Sequence, residues 1–216
     1  MSSTDRAAPS QAAAPRRQRA RLFDAPFFKR LVIVNGLVPL GLIAWDACYG
    51  QLGINAVNAV IRNTGLLGLV FLVLSLVVTP LHKLTHWAPL IAARRNLGVL
   101  SFVYLALHFT VFFAFDREGS IASTASEIVA RVYLWFGAAA LLMMIPLAAT
   151  STDGMVKRLG GKRWKRLHRL AYPIAVCGAV HYYLLVKSDT RQPVAFAVVI
   201  AGLLAYRAVR RYRPRR

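Results

Sequence analysis

The sequence predicts an all-α fold: a polytopic membrane protein with six transmembrane helices in one bundle and both termini cytoplasmic. Three observations carry this reading. Of 216 residues, 57% are hydrophobic and only 17% charged, a balance unusual for a soluble domain of this size. The apolar residues gather in stretches close to the roughly 20 residues a helix needs to cross a bilayer. The net charge of +20 lies in short runs between those stretches, as in the loops of a membrane protein.

The six stretches are residues 30–49, 62–81, 96–115, 128–149, 168–187 and 193–209. Asn35 and Pro39 interrupt the first, and the last is short, so their ends are the least defined. The connections are short, which makes neighbouring helices antiparallel. Ahead of the first stretch, residues 1–29 open on Ala, Ser, Pro and Gln and turn basic at Arg16, Arg17, Arg19 and Arg21. That composition predicts a disordered basic cytoplasmic tail. The membrane domain is expected over 30–210 and a second basic tail over 211–216. A basic segment followed by the apolar 31–45 also has the form of a secretory signal. The length of the tail and the interruptions at Asn35 and Pro39 favour a first membrane span.

Orientation follows from Lys and Arg. One side takes the N-terminal tail, Lys83, Arg94 and Arg95, the 157–169 segment and the C-terminal tail. The other side keeps only Arg62, Arg117, Arg131, Lys187 and Arg191 of the 28 basic residues. The positive-inside rule therefore places both termini in the cytoplasm. Basic residues in short loops serve topology and the lipid bilayer, and do not form a nucleic-acid surface. Cys48 and Cys177 make no CxxC or CxxCH pattern, so covalent c-type heme and a cysteine zinc site have no support in the sequence.

No Asp, Glu, Lys or Arg lies in the middle of a span. This disfavours ion-coupled transport and leaves histidine as the titratable group at depth. His82 and His86 sit at the cytoplasmic end of the second span, between Pro80 and Pro89, with no carboxylate or cysteine to complete a metal site. His108 lies about 12 residues, roughly 18 Å, into the third span. His181 lies 13 residues beyond His168 on the fifth span, roughly 20 Å from the cytoplasmic end. The third and fifth spans run in the same direction, so His108 and His181 reach nearly equal depth. Two neutral imidazoles so placed can ligate one metal centre, most simply a b-type heme. The competing reading is that each ring hydrogen-bonds a neighbouring helix.

His168 is placed for a second, inner heme, but positions 94 and 95 opposite it are arginines. On an ideal helix His168 and His181 also point about 140° apart, and Pro173 offers a kink that changes this. Arg94, Arg95, Arg163, Arg166 and Arg169 suit heme propionates, a flavin phosphate or anionic headgroups.

The segments "RRNLGVLSFVYLALH", "ATSTDGMVKRLGGKRWKRLHRLAYP" and "VHYYLLVK", in this order, resemble the MsrQ (YedZ) family. These are heme-binding membrane subunits of the periplasmic protein-methionine-sulfoxide reductase system, within the ferric-reductase-like transmembrane proteins. The resemblance covers about residues 30–210. It implies an electron-transfer subunit with one or two b-type hemes, held by His108, His168 and His181, and with flavin mononucleotide as a further candidate cofactor. It also implies that electrons come from the quinone pool or a cytoplasmic flavin reductase. They would pass to a periplasmic molybdopterin methionine sulfoxide reductase catalytic subunit that repairs oxidised proteins.

The residues agree with a partial redox chain. There is no GxGxxG fingerprint and no loop long enough to fold as a nucleotide domain, so donor and acceptor lie on other chains. The chain is expected to be an electron-transfer subunit and not the catalytic one. The alternatives are a stand-alone ferric or quinone reductase, and a non-redox membrane scaffold or transporter.

Overall fold

The computed structural model of the chain describes residues 25–212. Residues 1–24 of the expected N-terminal tail and 213–216 of the C-terminal one lie outside the described residues. Residues 25–29, expected to belong to the tail, begin a helix.

Eight α-helices follow in order among the described residues: α1 (Ala25–Cys48), α2 (Ala56–Thr85), α3 (Ala88–Val111), α4 (Ile121–Ala130), α5 (Val132–Ala149), α6 (Asp153–Leu167), α7 (Ala171–Leu185) and α8 (Arg191–Tyr212). A π-helical turn, Phe112–Asp116, extends α3, and a 3-10 turn, His168–Leu170, leads into α7. The described residues contain no strand. Five helices are long and apolar enough to cross a membrane: Pro26–Cys48, Ala56–Thr85, Ala88–Asp116, Val132–Ala149 and Arg191–Arg210. The stretch expected as the fifth of six spans is shorter. It folds as the 3-10 turn followed by the 15 residues of α7.

Local chemistry sets several boundaries. Side chains of Asn55, Ser120 and Thr152 accept hydrogen bonds from the backbone N–H groups of Asn58, Ser123 and Met155, capping α2, α4 and α6. Pro89 falls in the first turn of α3 and Pro173 in the first turn of α7, where a missing N–H leaves no bond unmade. α6 is kinked at Gly160, whose φ of 73° lies in the left-handed region.

Long-range hydrogen bonds order the bundle. Asn96 Nδ2 donates to Lys29 O and the Tyr104 hydroxyl to Gly36 O, so α1 and α3 run parallel. Ser101 Oγ donates to Gly68 O and His108 pairs with Ile61 O, so α2 is antiparallel to α3. α5 is antiparallel to α7 by the same test, through Tyr133 with His181 and Thr150 with His168. Lys29, Arg95, His168 and Arg207 thus share one end of the bundle, and Ile61, Tyr133 and His181 lie toward the other.

The main core joins α2, α5, α7 and α8 through Leu72, Leu76, Met144, Ile174, Ala175 and Ile200. The opposite faces are apolar too: Leu42, Trp135, Leu142 and Val198 are each more than half exposed. A helix apolar on both sides suits burial or lipid, and these outward faces suit lipid.

Ion pairs finish the ends. Arg117 bonds Asp116 and Glu127, and Arg131 bonds Glu127, tying the π turn to α4. At the basic end Arg95 hydrogen-bonds Asp153 of α6, and this guanidinium holds the exposed carboxyl below its ordinary value.

Tyr104 is fully buried, with its hydroxyl 2.8 Å from Gly36 O. Tyr104→Phe is expected to destabilise the bundle by about 0.5–1.5 kcal/mol, the net worth of one hydrogen bond. A lower thermal midpoint in detergent, with helical content unchanged before melting, is the check.

Candidate metal centre

His108 and His181 meet at the centre of the bundle, with ring centroids 6.3 Å apart and planes at 89°. Each ring is held the same way. His108 Nδ1 lies 2.8 Å from Ile61 O on α2, and His181 Nδ1 lies 2.7 Å from Tyr133 O on α5. A carbonyl oxygen only accepts, so in both rings Nδ1 carries the proton and donates it. Nε2 is then the atom with the free lone pair. Neither Nε2 has a hydrogen-bond partner among the described residues.

Each ring also lies against a glycine four residues beyond its carbonyl. A methyl group at Gly65 would stand 2.9 Å from His108 Nδ1, and one at Gly137 would stand 2.8 Å from His181 Nδ1. Positions i and i+4 stack on one helix face, so Ile61 with Gly65 and Tyr133 with Gly137 form matching seats. The missing side chain lets the ring reach a carbonyl that already serves its own helix, using the second lone pair. The α2–α3 pair and the α5–α7 pair thus present one imidazole each to the space between them.

These residues fit a metal held from both sides. An imidazole nitrogen binds a first-row ion at about 2.0–2.1 Å. Two rings sharing one ion along a common axis would have centroids about 6–6.5 Å apart, and the observed separation is within that span. Metal-bound histidines characteristically donate the other ring N–H to a carbonyl or carboxylate, which fixes the tautomer and strengthens the ligand. Both of these rings do so.

His168 is set differently. Its ring stacks on Trp164, centroids 3.9 Å apart, and its Nε2 is 3.2 Å from the Thr150 hydroxyl. Trp164 in turn donates from Nε1 to Thr150 O at 2.9 Å. Among the described residues no second histidine ring lies against it, although Arg94 is near enough for its charge to act on the ring. The 3-10 turn changes its facing. Three residues at about 120° each, in place of about 100°, reduce the offset from His181 from about 140° to about 80°. His82 Nδ1 bonds Trp87 O at 2.9 Å and takes no part in the site. Among the described residues no three His, Cys, Asp or Glu side chains cluster as a metal site.

Sequence reasoning paired the histidines and missed their seats. The signal was present as glycines inside apolar helices, "NTGLLG" and "LWFGAAA". A helical glycine costs about 1 kcal/mol relative to alanine, so its presence there asks for a packing reason.

Residues 64–179 match the family described as ferric reductase like transmembrane component. His108 and His168 fall within the match, and His181 lies just beyond it. Three relatives share the printed name protein-methionine-sulfoxide reductase heme-binding subunit MsrQ. The protein from Herminiimonas arsenicoxydans is 43% identical over 83% of each chain. That from Rhodospirillum rubrum is 44% identical over 86% of this chain and 89% of its own. That from Caulobacter vibrioides is 36% identical over 90% and 93%.

Proposed function

This chain belongs to the MsrQ family of heme-binding subunits, within the ferric-reductase-like transmembrane proteins, and from that premise we propose that it carries electrons across a bacterial inner membrane. The observation that supports this reading most is the pair of adjacent imidazoles from two helices, each with Nδ1 committed to a carbonyl and Nε2 free. A b-type heme, when bound, supplies an iron centre that takes up and gives back one electron.

His108 and His181 would hold the heme iron in this reading. Ile61 O and Tyr133 O hold their rings in the ligating tautomer. Gly65 and Gly137 allow the approach. The surrounding apolar residues lower the local dielectric, which is one of the protein's means of setting a redox potential. His168, locked by Trp164 and Thr150, is proposed as the ligand of a second heme near the basic end.

The proposal keeps six spans, with the 3-10 turn and α7 as the fifth, and both termini in the cytoplasm. The basic end then receives electrons from the quinone pool or a cytoplasmic flavin reductase, and its arginines suit the phosphate of flavin mononucleotide. The opposite end delivers them to a periplasmic molybdopterin methionine sulfoxide reductase catalytic subunit.

The test is optical. Protein purified from heme-replete cells is expected to give a reduced-minus-oxidised spectrum of low-spin b-type heme, with one or two hemes per chain. A colourless, fully folded preparation would sink the proposal. It would favour the reading in which the two histidines only join helices.

A further inference from the structure

Arg207 reaches from α8 into the basic end of the bundle. Its Nη2 donates to Leu76 O on α2 at 2.7 Å, and its guanidinium lies 4.8 Å over the Tyr172 ring of α7. The other two nitrogens, Nε and Nη1, are buried and have no hydrogen-bond partner. The neighbouring Tyr206 hydroxyl is likewise buried and unpaired. Arg94, on α3, is close enough for its charge to act on the same place.

Nothing acidic on this chain answers these two cations among the described residues. Asp153 is taken by Arg95, while Asp116 and Glu127 are taken by Arg117 and Arg131. Two guanidinium groups that converge without an acid repel each other, and buried N–H groups without acceptors are penalised. An anion with several oxygens relieves both costs, because a planar fork of donors matches a carboxylate or a phosphate.

The geometry points to an anion site made by Arg94, Arg207 and Tyr172, filled by a carboxylate or phosphate group of a bound amphiphile or cofactor. His168 is one helical turn before Tyr172 on the same segment, so the carboxylate of a tetrapyrrole held there is one source. The phosphate of an anionic lipid headgroup or of a flavin is the other. The charge and the orphan donors carry the site itself, and it does not need the heme reading to hold.

The experiment uses the full chain purified in detergent and in phosphatidylcholine nanodiscs. Heme, flavin and phosphorus per chain are measured, and phosphatidylglycerol is titrated as the probe lipid. Arg207→Gln is expected to weaken retention of one anionic species by roughly tenfold or more, the scale of a lost charge-assisted hydrogen bond. A fall in phosphatidylglycerol affinity with heme unchanged identifies a headgroup. A fall in flavin identifies a nucleotide phosphate. A fall in heme, or a shifted midpoint potential, at constant phosphorus identifies a tetrapyrrole carboxylate.

Arg207→Lys keeps the charge and loses the fork, so it should fall between wild type and Arg207→Gln. It also serves if the glutamine variant does not fold. An Arg94→Gln/Arg207→Gln protein with wild-type helicity and unchanged heme, flavin and phosphatidylglycerol binding would overturn the site. The spectrum of the His108–His181 centre is the control for the heme reading. Its absence from wild type would overturn that reading while leaving the lipid titration to decide this one.

Discussion

His181→Ala protein, purified from heme-replete cells, is expected to lack the heme of the central site. His108→Ala should lose the same heme and no other. Each substitution removes one of the two paired imidazoles and leaves no substitute, since no other His, Cys, Asp or Glu is grouped with them among the described residues. Loss of an outer-shell partner typically costs about 10–100-fold in metal affinity, and loss of a ligand should exceed that. The bundle should survive, because the core residues Leu76, Met144, Ile174 and Ile200 are untouched. Heme per chain and the reduced spectrum are the measurements. Full heme content in both variants would refute the ligand assignment. Any heme that remains in both belongs to a second site, and His168→Ala then tests whether it is the inner one.

Gly137→Ala and Gly65→Ala should have the next largest effect, and in a direction that helix propensity alone would not predict. Alanine in place of a helical glycine ordinarily stabilises by about 1 kcal/mol. At these two positions the new methyl would stand 2.8 Å and 2.9 Å from the Nδ1 of the seated ring, too close for a real Cβ. The ring must move, and with it the hydrogen bond to Tyr133 O or Ile61 O. The expected result is a roughly 10–100-fold loss of heme affinity, the scale of losing an outer-shell partner. A shifted midpoint potential should accompany it in whatever heme remains. Gly98→Ala is the internal control, since nothing lies within 4 Å of a methyl group there. That variant should keep wild-type heme binding and gain slightly in thermal stability. Equal behaviour of all three variants would show that the glycines do not seat the ligands.

Much of the candidate site could be read before any fold was available. Equal depth of His108 and His181 needs only the helical rise and the direction of two spans, and the rings do meet. The depth of His168 at the basic end was legible for the same reason. Its facing was not. An ideal helix leaves it about 140° from His181, and the 3-10 turn at His168–Leu170 is a local departure. That turn depends on how Trp164, Thr150 and α5 pack against it. Arg207 shows the same limit. By sequence it is one of the basic residues closing the sixth apolar stretch, yet its guanidinium turns inward to bond Leu76 O on α2.

The sequence by itself determined an all-helical chain of membrane-length apolar stretches, the clustering of charge at their ends, and the depth of each histidine. These follow from composition and from the fixed rise of 1.5 Å per residue, which are properties of one chain segment at a time. Only the tertiary structure decided which carbonyl each imidazole bonds, which glycine lies beneath it, and where Arg207 enters the bundle. Rotation about a helix axis and the distance between helices are set by packing between segments far apart in sequence, and periodicity within one segment does not contain them.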